Sequence, residues 1–348
     1  MRALNPALLA CAQIRFLVGA TAPSSGEARG VLAEARGFGA DSVRAGETED
    51  GAVELSGKML GPFGILTRLE YWGFRLVAGV FGALPLDVAS DLSGWIWRKV
   101  APRLRRHARA DRNLSASIPE LTAEQRAVIL DQMWDMLGRT FAEAFHLDRI
   151  FTEPGRLQLE IPPDVQEAFR SDRGCVIACL HQGNWEVASM AAVKGGARIA
   201  GVYQRLKNPL VDRYVTRMRA PYYPQGLFTK GNDAVLKLRR VLRRGDAVAL
   251  LADLREHRGV AVPFFGRPAP STPFPAFLAR ADGAPLIAGR VIRLKGARFR
   301  VTAEILPVAT TDDRHADVEA TTATLHACFE RFIRENPGQW MWGHRRWG

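Results

Sequence analysis

From Arg156 onward the chain repeats one pattern, in which a short apolar run gives way, through one or two turn-forming residues, to a longer amphipathic stretch. The runs "GCVIACL" (174–180), "ARIAGVY" (197–203), "DAVALLAD" (246–253), "APLIAGRVIR" (284–293) and "RFRVTAEIL" (298–306) have the length and composition of strands. The segments between them, "NWEVASMAAV", "PLVDRYVTRMRA", "DAVLKLRRVLRR" and "TPFPAFLARAD", space their apolar residues as helices do. A strand that is apolar on both faces must be covered on both faces, and helices alternating with strands supply that cover. The pattern therefore predicts an α/β fold with a central, largely parallel mixed sheet flanked by helices. "TTATLHACFERFIRENPGQW" predicts a closing helix that ends before Pro337.

The preceding region reads differently. "IPELTAEQRAVILDQMWDMLGRTFAEAFHLDRI" predicts two helices or one bent helix, opened by a capping box at Thr122 and Gln125. Val128, Leu130, Met133, Trp134, Leu137, Phe141, Ala144 and Phe145 form its core stripe. Further upstream, residues 61–86 are strongly apolar, but Arg68, Glu70 and Arg75 prevent any window of 18 uncharged residues. Tyr71 and Trp72 suit an interface, and Trp95 and Trp97 precede Arg98, Lys99, Arg103, Arg105, Arg106, Arg109 and Arg112. We expect an N-terminal apolar, membrane-associated helix here, embedded or interfacial, within a segment 59–100 that precedes a main domain over 101–348. Residues 1–58 read as a disordered or mis-assigned extension: the first 24 have the outline of a signal peptide, but Arg15 interrupts the apolar core, and Met59 looks a more natural start.

With 48 Lys and Arg against 36 Asp and Glu, the formal charge is +12, so an anionic partner is expected: nucleic acid, an acidic membrane surface, or an acidic substrate or carrier. Recognition-helix, zinc-finger and RNP signatures are absent from the sequence, which argues against nucleic acid. There is also no Gly-x-Ser-x-Gly elbow and no phosphate-binding Gly-x4-Gly-Lys loop. Cys11, Cys175, Cys179 and Cys328 are too few for a disulfide framework and suggest a reducing compartment. Cys175, Cys179 and His181 lack the spacing of metal ligands, so neither a metal nor a cofactor is expected.

The residues that carry chemistry are in "CLHQGNWEVA", 179–188, where a buried strand should end. In a parallel sheet, sites collect at the carboxyl ends of strands. Gly183 permits a tight turn, and Asn184 is placed to cap the helix that follows. With His181 in the turn and Glu186 in the first helical turn, the carboxylate can fold back to the imidazole. It would fix the tautomer there and leave the other ring nitrogen as a general base. The alternative is that both side chains merely cap the helix. Gln182 has no assigned task.

His-x4-Glu, written here "HQGNWE", resembles the first motif of the glycerolipid acyltransferase superfamily, and its Asn-Trp-Glu ending resembles the lipid A late (secondary) acyltransferase branch. The likeness runs from about Met59 to Trp347: "NLSASIPELTAEQRAVILDQMWDMLGRTFAEAF" resembles the branch's helical lead-in, "VYQRLKNP" its second block, "LADLREHRGVAVPFFGRPAPSTP" its third and "ENPGQWMWGHRRW" its C-terminal signature. The resemblance implies that 101–348 is an acyltransferase domain. It makes His181 the general base and Glu186 its orienting partner, with attack by an acceptor hydroxyl on a thioester and no acyl-enzyme. Arg205 would hold a phosphate of the acceptor or of the carrier's phosphopantetheine. Asp253 occupies the third block's acidic position, though Leu254 replaces the usual Gln beside it. Phe264, Phe265 and Arg267 would bind acyl chain and headgroup, and His344, Arg345 and Arg346 would clamp phosphates. The implied partners are acyl carrier protein as donor, a phosphorylated glycolipid as acceptor, and the cytoplasmic face of a cell inner membrane; lysophospholipid and phosphatidylinositol mannoside acceptors remain open.

Overall fold

A computed structural model describes residues 62–230 and 232–347, so the expectation for 1–58 lies outside the described residues. Among the described residues, the sheet is preceded by α1 (Pro62–Ala83), α2 (Leu86–Val100), α3 (Arg105–Ser117) and α4 (Ala123–Glu143), the last running through a single 3-10 turn into the short α5 (Leu147–Thr152). The one-or-two-helix segment is thus a long helix with a broken end. Thr122 Oγ1 accepts from the Gln125 amide while the Gln125 side chain accepts from the Thr122 amide, closing the capping box. Leu130, Met133, Trp134, Leu137, Phe141 and Ala144 are buried, but Val128 is exposed and drops out of the core stripe. α2 crosses α4 closely: a Cβ on Gly138 would stand 2.6 Å from the Ser93 carbonyl oxygen, which only glycine tolerates. Ser93 Oγ donates to the Gly138 carbonyl across the same contact at 2.7 Å.

The sheet region follows as β1 (Leu157–Glu160), α6 (Pro163–Arg170), β2 (Cys175–Cys179), α7 (Glu186–Lys194), β3 (Ile199–Tyr203), α8 (Pro209–Arg219), β4 (Leu227–Thr229), α9 (Asn232–Arg243) and β5 (Ala247–Leu251). Next come β6 (Arg255–Phe264), β7 (Arg267–Ser271), α10 (Phe274–Asp282), β8 (Leu286–Arg293), β9 (Phe299–Leu306) and α11 (Arg314–Glu335). Seven strands form one sheet in the order β1-β9-β8-β2-β5-β3-β4; β8 and β9 are antiparallel and the other neighbours parallel. β2, at the centre, is buried along its whole length, which explains its unbroken apolar sequence. β6 and β7 stand apart as an antiparallel pair.

Among the described residues, no helix is long and apolar enough to cross a membrane, so α1 is not a spanning helix. This helix exposes Ile65, Leu66, Leu69, Trp72, Leu76 and Val80, and α2 exposes Val88, Leu92 and Trp95. Trp97, grouped with Trp95 on sequence, is instead buried, its ring centroid 6.1 Å from that of Trp134 with the planes tilted by 34°. The basic stretch is partly consumed by the fold: Arg98 pairs with Asp131, and Arg109 donates to the Gly343 carbonyl.

Candidate active site

Strands β2 and β5 run side by side in register, with Cys179 opposite Leu251. The Ala252 amide extends that ladder by donating to the Cys179 carbonyl at 2.9 Å. The next residue on the β5 side is Asp253, and two beyond Cys179 is His181, so the topology itself brings the two side chains together at the carboxyl edge of the sheet. His181 Nδ1 lies 2.7 Å from Asp253 Oδ1, and the His181 amide donates to Oδ2 at 2.9 Å. The Trp340 indole donates to the same Oδ2 at 2.8 Å. Burial alone would push the Asp253 carboxyl up, but the charge and hydrogen bond of His181 and the bonds from Trp340 and the His181 amide outweigh it and hold the group down at about 2. An ionised carboxylate only accepts, so the ring proton sits on Nδ1 and Nε2 is the basic nitrogen. No hydrogen bond engages Nε2 among the described residues. Trp185 packs against the imidazole with ring centroids 5.0 Å apart.

Glu186 does not fold back to His181. Both of its oxygens are taken by Arg219, the last residue of α8, with Nε to Oε2 at 2.7 Å and the second guanidinium nitrogen on Oε1. Burial would lower the Arg219 pKa, yet the charge and hydrogen bonds of Glu186 raise it. This corrects the expected orienting partner: the step from His181 to Glu186 carries the carboxylate into α7 and away from Nδ1, while the neighbouring strand delivers Asp253 directly. Glu186 instead ties α7 to α8.

The turn that carries His181 is fixed from several sides. Gly183 has φ of 60°, and a Cβ there would lie 2.3 Å from the Val291 carbonyl oxygen. Its amide donates to the Gln339 carbonyl at 2.9 Å, and its carbonyl accepts from Thr140 Oγ1 at 3.0 Å. Asn184 Oδ1 accepts from the Glu186 amide at 3.1 Å, and Nδ2 donates to Glu143 Oε2 at 2.8 Å. Glu143, fully buried, also accepts from Ser90 Oγ and from the Arg293 guanidinium, joining α2, α4 and β8 beneath the turn. Gln182 is buried and donates from Nε2 to the Phe332 carbonyl. Glu143, Arg293 and Arg219 were not singled out in the sequence, and Trp340 only as part of the C-terminal signature, with its tryptophans expected at an interface; it is instead buried. One signal existed for Glu143, a carboxylate seven residues after buried Met136 and hence on the apolar face of α4.

Other expected site residues are placed as follows. Arg205 is exposed in the loop after β3 and makes no ion pair among the described residues. Phe264 and Phe265 are buried in an aromatic cluster with Trp340, Trp342 and Trp347; they form core and not an open lining, because the β6–β7 turn folds them inward. Phe265 itself takes φ of 52° in that turn, followed by Gly266 at 69°. Arg267 lies over the Trp347 ring, 4.0 Å from its centroid, and donates to Ser117 Oγ. Arg346 is fully buried and donates to the Pro270 carbonyl and Ser271 Oγ, so it anchors β7 and is not free to clamp a phosphate. His344 is buried with neither ring nitrogen bonded among the described residues, and burial together with the nearby charge of His181 lowers its pKa to about 4. Arg345 is exposed.

Burial, aided for Cys179 by the Asp253 charge, pushes the thiols of Cys175 and Cys179 up to about 12, so neither holds a thiolate near neutral pH. The cysteines among the described residues are unpaired, and no group of three or more His, Cys, Asp or Glu side chains there is arranged to hold a metal ion.

A histidine–carboxylate couple at the carboxyl ends of the central strands of a mostly parallel sheet is an arrangement that can take a proton from a hydroxyl. The chain belongs to the bacterial lipid A biosynthesis acyltransferase family, whose profile matches residues 65–348, and it is an acyltransferase. It is similar to a phosphatidylinositol mannoside acyltransferase of Mycolicibacterium smegmatis, 28% identical over 305 residues that cover 85% of this chain and 95% of the relative. A phosphatidylinositol mannoside acyltransferase of Mycobacterium tuberculosis is 28% identical over 218 residues, 60% of this chain and 67% of its own length. A lipid A biosynthesis acyltransferase of Haemophilus influenzae is 25% identical over 296 residues, 80% of this chain and 90% of its own length.

Proposed function

We propose that the protein transfers a fatty acyl group from an acyl carrier protein or coenzyme A thioester to a hydroxyl of a phosphorylated lipid A precursor, with His181 as general base. The supporting observation is the His181–Asp253 couple with Nε2 left bare. Nε2 takes the proton of the acceptor hydroxyl as its oxygen attacks the thioester carbonyl carbon. Asp253 stabilises the imidazolium formed, and the tetrahedral oxyanion collapses by breaking the C–S bond. The thiolate leaves and takes the proton back from Nε2, which yields an ester and a free thiol with no acyl-enzyme. In this reading Asp253 replaces Glu186 as the orienting group, and Glu186 and Arg219 hold the helices around the turn.

The second reading, a mannosylated phosphoinositide acceptor, rests on the two mycobacterial relatives named for that substrate. Both readings put the protein at the cytoplasmic face of a cell inner membrane. The exposed apolar residues of α1 and α2 and the net charge of +12 support that placement and an acidic carrier as donor. Purified protein supplied with labelled acyl carrier protein or acyl coenzyme A tests the readings. Acylation of a lipid A precursor and not of a phosphatidylinositol mannoside or lysophospholipid favours the first, the reverse favours the second, and transfer to neither overturns both.

A further inference from the structure

The face where α1 meets α8 holds a groove of about 590 Å³ lined by Tyr71, Arg75, Leu210, Arg213, Tyr214, Arg217 and Met218. Its walls are built firmly. Asn208 Nδ2, at the start of α8, donates to the Thr67 carbonyl at 2.8 Å and to Glu70 at 3.2 Å, and Phe74 meets Tyr214 edge-on with ring centroids 5.3 Å apart. Arg75 lies 5.2 Å from the Tyr214 ring centroid and donates to the Tyr71 hydroxyl, so its guanidinium is held in place before any ligand arrives.

Among the described residues, none of Arg75, Arg213 and Arg217 makes an ion pair. The nearby carboxylates Glu70 and Asp212 accept from neutral donors, the Asn208 side chain and the Leu206 amide, and neither is within salt-bridge distance of these arginines. Arg213 and Arg217 stand one helical turn apart, a like-charge spacing that disfavours the helix. Three guanidinium groups around one concavity suit a phosphate, which each can meet with two parallel donors.

The source of that phosphate follows from the helix geometry. At about 100° per residue, Tyr71 and Arg75 fall on α1 between its buried side, marked by Phe74, Ala78 and Phe81, and its exposed apolar side, marked by Leu69, Trp72, Leu76 and Val80. The groove therefore runs beside the surface that an interfacial helix would sink into lipid. We propose that it binds the headgroup phosphate of an anionic bilayer lipid and sets the depth and orientation at which the enzyme sits on the membrane. The proposal rests on the membrane placement above. It concerns a site separate from the His181–Asp253 couple, although Arg219, two residues after Arg217, links α8 to Glu186 at the active-site turn.

The test is flotation of the whole chain with phosphatidylcholine vesicles and with vesicles containing phosphatidylglycerol, using the native protein, Arg213→Gln/Arg217→Gln, and the exposed control Arg240→Gln/Arg244→Gln, which removes equal charge. The native protein and the control should prefer phosphatidylglycerol, and the groove variant should lose on the order of thirtyfold of that affinity while keeping its binding to phosphatidylcholine. An equal loss in both variants would assign the effect to diffuse charge and overturn the site, as would no loss in either. Inorganic phosphate at constant ionic strength should not release the protein; release would identify free phosphate as the ligand. A raised KM for acyl carrier protein with unchanged flotation would give the groove to the carrier instead. Failure of the native protein to bind any vesicle would reject the membrane placement itself, an outcome distinct from a groove variant that floats like the native chain.

Discussion

The two ring nitrogens of His181 sit in different surroundings: Nδ1 faces a buried carboxylate, and Nε2 has no protein partner among the described residues. The sequence singled out His181, because a histidine directly after a buried strand is legible as a site residue. Its partner was harder to read, since pairing across strands depends on sheet order, and nothing in the spacing says that β5 lies beside β2. Glu186, four intervening residues from His181, was the nearer choice on paper and pairs with Arg219 in the fold. Burying an ion pair and then removing one member leaves an uncompensated charge. Glu186→Gln and Arg219→Gln should each lower unfolding free energy by about 3–5 kcal/mol, and Glu186→Gln/Arg219→Gln should lower it by less than the sum. Urea titrations check this; strictly additive losses would show that the pair does not act as a unit.

At the scale of elements, β2, β3, β5, β8 and β9 and the helices between them follow from their apolar periodicity, whereas β1, β4, β6 and β7 did not stand out. β4 spans three residues and β1 four, too short for a pattern, and β6 and β7 contain Pro263, Pro268 and Pro270, which argue against strand when read locally. A separate two-stranded ribbon tolerates those prolines because its edges need no further partner. The turn from β2 to α7 is the element on which the site depends. Ala at position 183 would combine a left-handed backbone with a clash against the backbone of β8. Gly183→Ala should therefore displace His181 and reduce transfer by at least about a hundredfold, the scale of losing a positioned base. A crystal structure or kinetic comparison that found native geometry and rate would reject this dependence.

Over the whole molecule, the acid response should be set by buried histidines. Burial and the nearby charge of Arg346 lower His326 to about 4, and His344 is lowered to about 4 as well. A histidine whose folded pKa lies below its unfolded value binds fewer protons folded than unfolded, so stability is complete above the ordinary value near 6.5 and is lost as pH falls toward 4. Thermal midpoints should drop across that window, and His326→Phe/His344→Gln should flatten the dependence; an unchanged slope would place the acid sensitivity elsewhere. The basic charge and apolar N-terminal surface that suggested a membrane partner are both present in the fold, but α1 displays its apolar residues along one side beside a basic groove. That arrangement needs the packing of α1 against α8, a contact between segments more than 130 residues apart that no local pattern reveals.

The central claim, that His181 and Asp253 act together as the base, is tested most directly by a double-mutant cycle on acyl transfer. Single-turnover rates would be measured for the native enzyme, His181→Ala, Asp253→Asn and the double variant. Asp253→Asn alone should slow transfer by about a hundred- to ten-thousandfold, and adding it to His181→Ala should change nothing further, because the carboxylate acts only through the ring it holds. Independent, multiplicative losses, or undiminished transfer in His181→Ala, would contradict the account.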